Sequence, residues 1–148
     1  MTEYIEIRFG ENFERRSTGE KPLGEMFQSI NPMFCLSQRI WRPQMDISET
    51  LNSIIIQAEI AGVEKDDISI EVNSKAVKVS GVRGRTPPEE NATYRLAEIQ
   101  FGRFERVLYL PTLIDIEQVH ASFFNGFLEI KLAKFPIDSS QRIKLSYR

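Results

Sequence analysis

From Trp41 onward, apolar residues recur at every second position, and this spacing constrains the fold more than any other feature of the chain. Ile54, Ile56, Ala58 and Ile60 fall on one face, with Gln57 and Glu59 on the other. Ile68, Ile70 and Val72 alternate with Ser69 and Glu71, and Val77 and Val79 with Lys78 and Ser80. Phe104, Leu108 and Leu110 share a parity, as do Leu128, Ile130 and Leu132 opposite Glu129 and Lys131. Successive side chains of a strand point to opposite faces, so each run predicts a strand with one buried face. Asn73-Ser74-Lys75 reads as a short turn. Asn125-Gly126, between Phe123-Phe124 and Phe127-Leu128, predicts a type I′ hairpin, whose two central residues need positive φ. Five to eight short strands without long helical patterns imply an all-β fold, an immunoglobulin-like antiparallel sandwich over residues 41–134.

Three stretches lie outside that pattern. Residues 82–93 form a polar loop centred on Pro87-Pro88, and a loop of that length is usually functional or mobile. Tyr94-Arg95-Leu96-Ala97-Glu98 predicts one more short strand, displaced from the body of the domain. Residues 1–40 form an N-terminal arm punctuated by Gly10, Gly19, Pro22, Gly24 and Pro32. The arm holds two apolar clusters: Tyr4, Ile5, Ile7 and Phe9, then Met26, Phe27, Ile30, Met33 and Phe34. The second cluster reads either as a short amphipathic helix docked on the domain or as a mobile, adhesive arm, because Met and Phe adapt to irregular apolar partners. Residues 135–148 form a C-terminal tail.

Charge and motif content exclude several function classes. A net charge of −2 supplies no concentrated basic face, so neither nucleic acid nor an anionic membrane is an expected partner. The opening residues, Met1 to Glu6, carry acids and no apolar run, no 18-residue apolar span occurs, and Cys35 is alone; these features predict a reducing, cytoplasmic setting. Gly19 and Gly24 have phosphate-loop spacing, but Glu25-Met26 stand where Lys and Ser or Thr are required, so nucleotide phosphate has no counter-ion. One His and one Cys, 85 positions apart, provide no local metal-ligand spacing. His120 lies on a predicted strand, and no serine has a nucleophile-elbow context. Asp66-Asp67 and Glu89-Glu90 are read as solvated acids, and the acceptor triplet Asn91-Ala92-Thr93 matters only in a secreted chain. The expectation is a non-enzyme with no catalytic residues, no metal and no cofactor.

Two features carry more information. Arg106 shares the inward parity of Phe104 and Leu108, and a buried guanidinium calls for a carboxylate partner. It is either an arginine whose head reaches water near a strand end or one half of an ion pair across a subunit interface. In the tail, Ile143 and Leu145 project to one side of an extended segment, as a pair able to fill two pockets while the backbone joins a sheet edge. The linker from Ala133 to Gln141 spans at most about 30 Å when extended, enough to reach a neighbouring subunit. Burying both side chains contributes about 3–6 kcal/mol before ordering costs, a weak and exchangeable contact.

Taken together, these residues resemble the small heat-shock protein (α-crystallin) family, of the bacterial and plant type. The resemblance covers about Trp41 to Lys134 plus the tail. It is carried by Trp41-Arg42-Pro43 with Met45-Asp46-Ile47, by Ala58-Glu59-Ile60-Ala61-Gly62-Val63 with Asp66-Asp67-Ile68, and by Val79-Ser80-Gly81. Phe101-Gly102-Arg103-Phe104-Glu105-Arg106, Leu110-Pro111 and Ala121-Ser122-Phe123-Phe124-Asn125-Gly126-Phe127-Leu128 complete the set, the last resembling the family's Ala-x-x-x-Asn-Gly-Val-Leu signature with Phe127 in place of Val. The tail reads Ile-x-Leu where the family has Ile-x-Ile or Ile-x-Val.

The resemblance implies an ATP-independent chaperone that holds partly unfolded proteins and works as an exchanging homo-oligomer. It implies that Tyr94, Arg95 and Leu96 belong to a strand swapped onto the partner's segment near Trp41 and Met45, with Arg106 at the same dimer interface. Ile143 and Leu145 would dock on another dimer, in a groove formed by Ile68, Ile70, Val72, Val119 and Ala121. Met26, Phe27, Ile30, Met33 and Phe34 become candidates for client binding. Two other functions compete: a module on a similar sandwich that binds one defined partner, which would lack the swapped strand and the Ile-x-Ile-type tail, and a hydrolase built on His120.

Overall fold

The structure is a computed structural model that describes residues 5–10 and 40–136. Among these residues, eight strands form in chain order: β1 (Ile7–Phe9), β2 (Met45–Glu49), β3 (Ser53–Glu59), β4 (Ile68–Val72), β5 (Ala76–Arg83), β6 (Gly102–Tyr109), β7 (Ile114–Phe124) and β8 (Phe127–Lys134). One sheet has the order β1-β4-β5-β6 and the other β2-β3-β8-β7. Every pairing is antiparallel except β1 with β4, which is parallel. The expected sandwich of two sheets is present.

The alternation read from the sequence is the alternation of burial. Ile54, Ile56 and Ala58 of β3 point inward, as do Ile68, Ile70 and Val72 of β4 and Leu128, Ile130 and Leu132 of β8. These side chains, with Val77, Val79, Phe104 and Ile114, form one continuous apolar core between the sheets. Such a face is strongly specified, because a slip of one residue would turn every inward side chain out to water.

Local geometry agrees with the turn chemistry. The Asn73 carboxamide oxygen accepts from the backbone N–H of Lys75 at 2.8 Å and of Ala76 at 2.7 Å, closing the β4–β5 turn. Asn125 and Gly126 have φ of 49° and 81°, the two positive values of the expected hairpin turn between β7 and β8. Gly126 is also a close approach: a Cβ there would lie 2.8 Å from Ala61, while its carbonyl accepts from the Ile60 N–H at 2.8 Å.

Two elements differ from the sequence reading. Tyr94 to Glu98 form no strand within the chain; residues 84–101 project as an exposed loop with a single short turn. Conversely, the arm read as lying wholly outside the sandwich contributes β1, which lies along β4 with Ile7 opposite Ile70, Arg8 opposite Glu71 and Phe9 opposite Val72. The reason is the Ile5-x-Ile7 alternation, which matches the period of a strand rather than that of a helix. The second arm cluster and the tail motif lie outside the described residues.

Ile130 is fully buried at the centre of β8, opposite Ile56 on one side and Ala121 on the other. Ile130→Ala removes core volume that its neighbours cannot refill, and is expected to lower stability by about 2–5 kcal/mol. The fall should appear as a lower urea midpoint with an unchanged slope.

Candidate functional site

Candidate interaction sites lie at the two open sides of the sandwich. Trp41, just before β2, bridges to Phe104 of β6, so β2 and β6 border the same side. The sheet orders then place β1 with β4 and β7 with β8 along the opposite side.

On the first side Trp41 is clamped to β6. Its N–H donates to the Arg103 carbonyl at 3.0 Å, its own carbonyl accepts from Glu105 at 3.3 Å, and its indole N–H donates to the Gly102 carbonyl at 3.1 Å. The indole is tilted 53° against the Phe104 ring, with centroids 5.2 Å apart. Arg83, at the end of β5, lies over the indole face at 4.1 Å. Its Nε and Nη2 donate to the Gln100 carbonyl at 2.8 and 2.6 Å, and its Nη1 donates to Ala61 at 3.1 Å. One guanidinium thus joins both ends of the projecting loop to the sandwich. Burial pulls Arg83 below the ordinary arginine value, and the charge of Glu59 acts in the opposite direction.

From this root the loop extends outward. Arg85 stacks on Phe101 and Tyr94 at 5.2 and 4.5 Å. Beyond it Tyr94, Leu96 and Ile99 are 50%, 73% and 71% exposed, and Arg95 is exposed too. Beside this root runs β2, which among the described residues pairs only with β3, so its outer edge retains unpaired backbone donors and acceptors.

Arg106 finds a backbone partner within the single chain. Its side chain points to the apolar side, and its Nη1 donates to the Pro43 carbonyl at 2.8 Å. Its Nε is buried without a hydrogen-bond partner among the described residues. Burial, and then repulsion by Arg42, lower its pKa from the ordinary value. The structure therefore brings Trp41, Met45 and Arg106 to one side of the sandwich, while Tyr94, Arg95 and Leu96 stand away from it on the loop.

On the opposite side, Ile68, Ile70 and Val72 are core residues, with Val119 and Ala121 half-buried on β7. These five border one side of the sandwich, but the β4 edge there is covered by β1. Ile5 and Ile7 pack against the core, as do Val119, Ala121 and Phe123. At the adjacent hairpin Phe124 is 75% exposed and Phe127 55%. The client-binding candidates Met26, Phe27, Ile30, Met33 and Phe34, and the tail pair Ile143 and Leu145, lie outside the described residues. His120 is exposed on β7 opposite Lys131. No helix among the described residues is long and apolar enough to cross a membrane.

Two residue groups escaped the sequence reading. Arg83 has the inward parity of Val77 and Val79, the same signal that singled out Arg106. Ile5 and Ile7 were visible as an alternating pair, but proximity to β4 is a tertiary fact.

The Hsp20/alpha crystallin family model matches residues 46–146, which span both sheets from β2 to β8. The chain belongs to this family. The Hsp20-family chain is 34% identical over 104 residues to spore protein SP21 of Stigmatella aurantiaca, covering 70% of this chain and 62% of that protein. It is 31% identical over 104 residues to heat shock protein 16 of Schizosaccharomyces pombe, covering 69% and 71%. Among solved structures, a small heat-shock protein from Xylella fastidiosa superposes with a TM-score of 0.61 at 25% identity, covering 74% of this chain and all of that one. HspA from Xanthomonas axonopodis gives 0.59 at 28% identity, covering 66% and 98%.

If Arg83 holds the loop root, Arg83→Gln should speed tryptic cleavage after Arg85 and Arg95 several-fold in limited proteolysis, with little change in the melting of the sandwich. Unchanged cleavage would mean that the loop is held by other contacts.

Proposed function

We propose that this Hsp20-family chain is an ATP-independent holdase, working in the cytoplasm as an exchanging homo-oligomer of strand-swapped dimers. Family membership supports a chaperone-type role. The observation that carries the finer reading is the pairing of an unmet edge with an unmet strand. The Tyr94–Ile99 segment forms no strand with its own sandwich and leaves Tyr94, Leu96 and Ile99 exposed, and the outer edge of β2 lacks a neighbour among the described residues. Tyr94 to Leu96 of each chain would then pair with the partner's β2 near Trp41 and Met45. In that arrangement an acceptor from the partner would complete the hydrogen bonding of Arg106.

Tails would link dimers. Ile143 and Leu145 would occupy the side bordered by Ile68, Ile70, Val72, Val119 and Ala121, each contact weak alone and strong in number through effective concentration. Client chains would be held on Met26, Phe27, Ile30, Met33 and Phe34 and on exposed apolar surface such as Phe124 and Phe127. Capture of an unfolded chain lowers its free concentration and so slows aggregation, with no step that needs nucleotide, metal or another cofactor.

Heating an aggregation-prone enzyme with the purified protein, in the absence of ATP, should suppress the rise in light scattering; an unaltered rise would refute the holdase reading. For the interface, Tyr94→Ser with Leu96→Ser should shift the native mass spectrum from even-numbered assemblies toward monomer while leaving far-UV dichroism intact. Assemblies of unchanged mass would rule out the swapped strand as the dimer contact.

A further inference from the structure

We infer that β1 is a built-in competitor for the tail: Ile7–Phe9 pair with the β4 edge, with Ile5 packed on the core just ahead of them, where Ile143-Lys144-Leu145 of a second copy would dock. The inference rests on the tail-docking reading above and adds the element that opposes it.

The two segments share one recognition pattern. Each presents two aliphatic side chains separated by a charged residue, and where the chain enters β1 the pattern is realised: Ile5 and Ile7 are half-buried against the core while Glu6 and Arg8 face water and pair with each other at 3.3 Å. The backbone of β1 takes up the free edge of β4, with Ile7 opposite Ile70, and beyond the strand the Gly10 N–H donates to the Val72 carbonyl at 3.3 Å. A strand edge offers one row of donors and acceptors, so a second strand cannot add while β1 is paired. The same segment covers the β4 edge on the side of the sandwich that Val119 and Ala121 of β7 also border.

β1 is also a poor permanent fixture. It is three residues long, pairs with one neighbour, and its last residue, Phe9, is 53% exposed. Local opening of such an element costs far less than unfolding the sandwich. The contest is therefore balanced and depends on concentration. β1 is joined covalently to its own β4, so its local concentration is independent of dilution, whereas the tail arrives from another chain. Dilution favours the closed edge; crowding of subunits favours tail docking. For the tail, the apparent affinity is the intrinsic affinity scaled by the fraction of edges that stand open.

A fluorescein-labelled peptide of residues 138–148 serves as probe, titrated by anisotropy against the full chain carrying Ile143→Gly and Leu145→Gly, so that no resident tail competes. Adding Ile5→Ser and Ile7→Ser should tighten peptide binding by about tenfold or more, as expected when an edge closed most of the time is freed. In a second variant, Arg8→Cys and Glu71→Cys, opposite each other in register, are introduced with Cys35→Ser. Oxidation should abolish peptide binding and reduction restore it, which decides the matter even if the serine variant fails to fold. Saturable binding of equal strength in all forms overturns the competition and leaves tail docking intact. Absence of binding to every form overturns tail docking, and the competition with it.

Discussion

The governing constraint on this molecule is that its two sheets seal their faces against each other but cannot seal their edges. Backbone N–H and C=O groups must find partners, and an outer strand meets that need only on one side. Closure into a barrel would remove the edges; this sandwich of two four-stranded sheets keeps them. The edges are treated unequally. The β6 side is capped by the main chain of Trp41, which both donates to and accepts from the neighbouring strand. The β4 edge is covered by three residues of β1. The outer edge of β2 pairs with nothing among the described residues, and the loop of the same chain carries exposed apolar side chains at Tyr94, Leu96 and Ile99.

Two arginines show how the open side is prepared. Arg83 and Arg106 both sit at inward positions of strands, where burial disfavours the charged form, yet arginine stays protonated in proteins. Charge at such a place must be balanced by dipoles, and Arg83 is fully engaged: two carbonyls and an indole face receive its guanidinium. Arg106 is not. It has one carbonyl, a like charge in Arg42 and a buried Nε without an acceptor among the described residues, an arrangement that costs on the order of 1–3 kcal/mol. Replacing Arg106 by a well-packed apolar residue would remove that cost within the single chain.

The sequence was legible wherever a local rule acts alone. Period-2 alternation located β3, β4, β5 and β8 and named their inward residues, because burial on one face enforces parity whatever lies opposite. Asn125-Gly126 announced its hairpin because few residues tolerate positive φ. Legibility ended where a second surface decides. Tyr94 to Glu98 has strand-like residues, but a strand exists only against a neighbour, and its own sandwich offers none at that point. β1 is the reverse case: its alternation is only five residues long, too short to indicate a partner, and its strand depends on an edge more than fifty residues away in sequence. Arg106 was placed on the correct side by parity, whereas its carbonyl partner depends on the path of the chain through Pro43.

The division between face and edge also separates two energy scales. Each fully buried core side chain contributes enough that its truncation costs several kcal/mol, and these contributions are cooperative because the sheets share one interior. An added edge strand contributes a few backbone hydrogen bonds, each about 0.5–1.5 kcal/mol net, and one or two half-buried side chains, less the entropy of ordering the segment. The sum is close to zero, so edge partners exchange under conditions where the sandwich stays folded. Reversible opening of surface in a stable domain therefore follows from the architecture itself. An edge of this kind is filled by whichever strand-forming segment is locally most concentrated, as β1 fills the β4 edge.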